Sequence, residues 1–180
     1  MTVEATGAVA APGPQAALLA DVQRRLSLFA EAISGRSALL APIEQLDQSF
    51  RADVFTCDGK HYWLPAWIDT FPSRAANVAH YRLALVHQMG YQRYGTFRFS
   101  RQRFRQRYPE LDATSTQLPS KPSHKPWPRS LELEDWFHGC EQPLVLQTLF
   151  ATIEAARIDL RNYRQFPGLR RDLIRAVHAA

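Results

Sequence analysis

The stretch "YRLALVHQMGYQRYGTF", residues 81–97, decides how the chain folds. It closes a helical pattern that opens near Pro72, where a first-turn proline loses no hydrogen bond, and ends at Tyr94, with Gly95 just past the end. Ala75, Val78, Ala79, Leu83, Leu85, Val86 and Met89 fall on nearly every side of this helix. An all-round apolar helix belongs at the centre of a domain. One stripe is polar: His80, Ala84, His87, Tyr91 and Tyr94 follow at spacings of four, three, four and three, which stacks them on a single face.

A partner for that stripe is available late in the chain. "PLVLQTLFATIEAARIDLRNYRQF" begins at Pro143 and stays periodic to Tyr163; Pro167-Gly168 then break it before a final basic helix, "LRRDLIRAVHAA". Glu154 stands in the most apolar part of this segment, and a bare carboxylate buried there costs several kcal/mol or more, so it must be paired, protonated or metal-bound. The sequence offers His87, Arg157 and Arg82 as partners.

His87 also begins a five-residue string, His87-Gln88-Met89-Gly90-Tyr91, that has the outline of the zincin pattern H-E-x-x-H, in which two imidazoles one turn apart hold zinc and the glutamate activates water. Two letters are wrong for that chemistry. Gln88 is an amide and takes no proton from water, and Tyr91 is a poor neutral-pH substitute for imidazole. His87, Glu154 and Tyr91 are therefore the candidates for a vestigial metal site. The competing expectation is an interhelix polar cluster of His80, His87, Tyr91, Tyr94, Glu154 and Arg157, with no cofactor and no catalytic residue. In this reading His87 bonds to Glu154, Tyr91 or Tyr94.

Elsewhere the signals are local. Residues 1–15 are rich in Ala, Gly and Pro and read as a disordered tail, leaving a helical domain over 16–180. Leu18, Leu19, Val22, Leu26, Phe29 and Ile33 predict a helix over 15–33 that Gly35 stops, and "ALLAPIEQLDQSF" predicts a second, short one about Pro42. In "DVFTCDGKHYWLP", Asp58-Gly59 between Val54-Phe55 and Tyr62-Trp63-Leu64 predicts a β-hairpin. Residues 109–130 hold five prolines and read as a long loop. Asp112, Thr114 and Thr116 imitate an adhesion-type metal motif there, but the apolar strand that motif needs ahead of it is missing. The expected fold is a single, mainly α domain of five or six helices with one hairpin at its edge.

The net charge of +5 is concentrated: Arg93, Arg98, Arg101, Arg103, Arg105 and Arg107 interleave with Tyr94, Phe97, Phe99 and Phe104. Guanidinium groups beside rings would suit a nucleic acid, whereas a basic face whose rings turn inward is the commoner arrangement. The G-x-x-x-x-G-K-[ST] phosphate loop does not occur, so the chain should not bind ATP by itself. Cys57 and Cys140 match no zinc or disulfide framework, and no basic-then-apolar leader opens the chain, so a soluble, cytoplasmic protein is expected.

Taken together, "WLPAWIDTFPSRAANVAHYRLALVHQMGYQRYGTFRF" and "LFATIEAARIDLRNYRQFPGLRRDL" resemble the N-terminal region of the NorD/CbbO family, the nitric oxide reductase activation and Rubisco activase accessory proteins. The resemblance spans roughly residues 60–99 and 146–173, a little over a third of the chain. His87, Gln88, Gly90, Gly95, Thr96, Phe97, Glu154, Arg157 and Asp159 match the family pattern, and Tyr91 departs from it. The resemblance implies an adaptor that works with a MoxR-type AAA+ ATPase, with Rubisco or another metalloenzyme as client. It also implies a von Willebrand factor A domain beyond the region matched here. Arg98, Arg101, Arg103, Arg105, Arg107, Arg170 and Arg171 are the expected partner-binding residues, nucleic acid is the less favoured partner, and no membrane association is expected.

Overall fold

In the computed structural model, residues 11–45, 61–112 and 131–179 are described. The domain is mainly α. Strand β1 (Ala17–Leu18) runs into helix α1 (Leu19–Ser34), followed by β2 (Leu39–Pro42), β3 (His61–Leu64), β4 (Trp67–Ile68) and α2 (Arg74–Arg93). Short helices α3 (Arg101–Arg107), α4 (Pro109–Asp112) and α5 (Leu131–His138) lead to the long α6 (Pro143–Gln165) and the terminal α7 (Arg170–Ala179).

The core forms where α1 crosses α2. Leu19, Val22, Leu26 and Ala30, at spacings of three and four, meet Tyr81, Leu85 and Met89 of α2, and Leu40, Tyr62, Leu64 and Ile68 of the strands close the cluster. Leu19, Leu64 and Leu85 are at most 1% exposed, each contributing about 1.5–3 kcal/mol of transfer free energy. Leu83 and Val86, on another side of α2, join Leu169 in a second cluster. The all-round apolar pattern of α2 thus has its cause: the helix packs on α1, on the strands, on α6 and on α7.

Ser73 caps α2, its Oγ accepting from the Ala76 amide at 3.3 Å, so the helix begins two residues after Pro72. Gly95 takes φ +78° just past the end, as its place in the sequence requires, and Gly35 does the same after α1.

Four local expectations change. Pro109–Asp112, the start of the stretch read as a loop, is a short helix, with proline at its first position where no amide is needed. Leu39–Pro42, expected to be helical, is strand, with Leu39 exposed and Leu40 buried in the alternation of a pleat. Tyr62-Trp63-Leu64 is a strand as expected, but among the described residues its partner is β2, in parallel register (Leu39↔His61 to Pro42↔Leu64). The Val54-Phe55 arm and the Asp58-Gly59 turn of the expected hairpin lie outside the described residues, as do Cys57, Thr114, Thr116 and most of the proline-rich stretch. Finally, the last residues of the predicted tail are held: the Gly13 amide donates to Asp69 Oδ2 at 3.0 Å, and the Gln15 carbonyl accepts from Asn77.

Candidate functional site

α6 runs against α2 in the opposite sense, since Glu154 meets Thr96, Ile158 meets Gly90 and Asn162 meets Val86. The approach is close because Gly90 has no side chain. A Cβ at that position would collide with Ile158 Cγ2 and touch the Tyr94 ring at 3.4 Å.

Two separate polar clasps lie along this seam. In the first, His87 Nδ1 is 2.6 Å from Asp159 Oδ1 and Nε2 is 3.0 Å from the Tyr91 hydroxyl. A carboxylate can only accept, so Nδ1 carries the donated proton, and in the neutral ring Nε2 accepts from Tyr91. Both ring nitrogens are then engaged. In the second clasp, Arg157 grips Glu154 with Nε on Oε2 at 2.6 Å and Nη2 on Oε1 at 2.5 Å, and the Thr96 hydroxyl also donates to Oε1. Arg157 Nη2 further donates to the Tyr94 carbonyl at 3.3 Å. Burial at 7% exposure alone would raise the Glu154 pKa; the hydrogen bonds from Arg157 and Thr96, with the charges of Arg157 and Arg161, overcome it and hold the carboxyl below its ordinary value.

Sequence reasoning joined His87 to Glu154, and the structure does not: no hydrogen bond links them. Helical geometry explains this. Five residues turn the helix by about 500°, so Glu154 and Asp159 project some 140° apart, and only Asp159 comes level with His87. The expected pairs Tyr91 with His87 and Arg157 with Glu154 are both formed. Arg82 instead bonds Asp172 of α7 at 3.3 Å.

Tyr94 adds a third tie, its hydroxyl lying 2.9 Å from Asn162 Oδ1 and 2.8 Å from Gln165 Oε1, while Arg161 stacks 5.4 Å from its ring centre. Burial raises its pKa, against the opposing charges of Arg93, Arg161 and Arg157. His80 does not belong to this seam. It sits near α7 with its ring 5.4 Å from Phe71, beside Asp172 and Arg175, and its buried Nδ1 has no hydrogen-bond partner. Burial accordingly lowers its pKa.

Gln88 leaves the helix on another side, donating from Nε2 to the Trp63 carbonyl of β3 at 2.6 Å. An amide is what that contact needs. Two further residues escaped the sequence reading. Asn77, fully buried, accepts from the Thr70 and Phe71 amides and donates to the Gln15 and Phe71 carbonyls, using its full capacity. Tyr81, also fully buried, donates to the Pro65 carbonyl at 2.8 Å; its pKa rises through burial and the nearby Glu44 charge. Their spacing of four on an otherwise apolar face was the available signal.

As for metal, among the described residues no group of three or more His, Cys, Asp and Glu side chains stands close enough to hold an ion. The vestigial candidates are divided between the clasps, His87 and Tyr91 in one and Glu154 in the other. Among the expected partner-binding residues, Arg98, Arg103, Arg105, Arg107, Arg170 and Arg171 are exposed and Arg101 is half-buried. The rings of the run are engaged elsewhere: Phe99 and Phe104 lie 5.8 and 5.0 Å from Trp136, joining α3 to α5, and Phe137 continues the chain of rings to Phe150 of α6. No described helix is long and apolar enough to cross a membrane. No protein-family model, curated protein or solved structure matches the chain.

Proposed function

We propose that the chain is a non-catalytic adaptor that docks on a MoxR-type AAA+ ATPase, with Rubisco or another metalloenzyme as the client. One observation carries this reading: residues shared with the NorD/CbbO pattern are committed to holding α2 against α6 and against β3. His87 is taken by Asp159 and Tyr91, Gln88 by the Trp63 carbonyl, Gly90 by the closeness of Ile158, and Glu154 by Arg157 and Thr96. A string spent on packing fits a rigid docking module better than a degenerate zincin, whose imidazole must offer a free nitrogen. The arginines of α3 and the start of α7 supply the surface, on which an acidic face of the ring would associate quickly.

The test is co-elution of the purified chain with a MoxR-type hexamer in the presence of ATP. Binding is expected, with Arg103→Glu and Arg105→Glu slowing association and weakening its salt dependence. Failure to bind any such ring overturns the reading, and stoichiometric zinc in protein prepared without chelator would revive the metal site.

A further inference from the structure

The face of α6 that turns away from α2 is apolar. Val145, Leu149, Ile153 and Leu160 are 52%, 54%, 69% and 49% exposed, and at 100° per residue they fall within about 80° of one another, opposite the buried Ile158. From Pro143 to Ile153 the helix has no charged residue. The stripe ends on a shallow, mainly apolar pocket of about 290 Å³ between α6 and α7, lined by Leu160, Tyr163, Leu173 and Ile174 together with Asp159 and His178. Exposed apolar surface of this extent, continuous along a helix, marks an interaction site.

The geometry points to a second copy of this chain as the occupant, packed with its α6 antiparallel across a two-fold axis between Thr152 and Ile153. That axis sets Val145 against Leu160 of the other copy, Leu149 against Ala156, and Ile153 beside its own equivalent. Each uncharged N-terminal half then meets the half of the partner helix that carries the pocket, and Val145 enters it. A knob at Val145 and a hole at Leu160 lie on one face of one helix, equidistant from the axis between Thr152 and Ile153, so the surface is complementary to itself, the requirement for an isologous contact. Charge favours the same occupant. The half of α6 from Pro143 to Ile153 carries no charge, so two copies of a chain of net charge +5 meet along it without like charges facing each other, whereas an acidic partner would be drawn to the arginines instead. The exposed apolar side chains offer roughly 600 Å² per copy, about 1,200 Å² for the pair, at the lower end of stable interfaces.

Sedimentation velocity of the full chain over about 1–200 µM is expected to show a reversible dimer with dissociation on the order of micromolar. Ile153→Glu, which places two like charges beside the axis, should weaken it by about 100-fold or more while leaving far-UV circular dichroism unchanged. Register is read separately with Cys57 and Cys140 replaced by serine. Oxidation should then cross-link Ile153→Cys alone, and Val145→Cys mixed with Leu160→Cys, but not Leu160→Cys by itself. A chain that stays monomeric throughout, a dimer indifferent to Ile153→Glu, or Leu160→Cys self-linking in preference to the mixed pair overturns the proposal.

Discussion

Substituting Gly90 by alanine tests the α2–α6 seam through the sign of a free-energy change. Helix propensity alone predicts that Gly90→Ala, in the interior of a 20-residue helix, stabilises the protein by about 0.8–1 kcal/mol. The structure predicts the reverse, because the new methyl collides with Cγ2 of Ile158, a fully buried β-branched side chain, and touches the Tyr94 ring at 3.4 Å. Overpacking of this kind costs about 1–3 kcal/mol, so the net effect should be destabilisation of up to about 2 kcal/mol, at some 2–4 °C of melting temperature per kcal/mol. Urea unfolding followed by circular dichroism measures it. Ile158→Ala removes the obstacle, at its own cost of about 2–5 kcal/mol, and in that background Gly90→Ala should become stabilising by up to about 1 kcal/mol. Stabilisation of the wild-type chain by Gly90→Ala, or the same sign and size in both backgrounds, would refute the close approach.

The second clasp has a pH signature. Glu154 has its folded pKa lowered, so its contribution is present above the unfolded carboxylate value of about 4.3 and is lost as pH falls through the folded one. Glu154→Gln should cost about 2 kcal/mol at pH 7, less than a fully buried pair because Arg157 is a third exposed, and should flatten the acid limb of the stability curve; an unchanged limb would count against the clasp. His80 acts in the same direction at higher pH, although there it is the neutral form that the fold favours. Stability should therefore fall as pH drops below about 6.5, and His80→Phe should remove that slope in guanidinium titrations between about pH 5 and 7. Asn77→Ala should cost about 2–4 kcal/mol by stranding the Thr70 and Phe71 amides, and Asn77→Asp should be no better, since it faces two carbonyls with a carboxylate; hydrogen exchange at the two amides reports the loss directly.

What the sequence disclosed was governed by local chemistry. Gly35, Gly95, Pro143 and Pro167 mark the ends of α1, α2 and α6 because capping and proline geometry depend on a few neighbouring residues. The all-round apolarity of α2 foretold its central place and its packing on α6. The pairing of Leu39–Pro42 with His61–Leu64 was hidden, since a parallel ladder joins distant segments with no turn to announce it. Within the site, composition named the right helices and most of the right residues, but the choice between Glu154 and Asp159 as partner to His87 depends on how α6 is rotated about its axis. That rotation is set by Ile158 seating on Gly90, a contact between two residues that carry no polar signal.

The bond from Gln88 to the Trp63 carbonyl reaches beyond stability. Suppose a protein engineer placed the zincin glutamate at this position to introduce hydrolysis. The ionised carboxylate would then stand oxygen to oxygen against a backbone acceptor some 2.6 Å away, and either the β3 strap would open or the new acid would stay protonated. Installing chemistry on this helix therefore begins at the sheet, by giving Trp63 another donor, before any letter of the metal motif is changed.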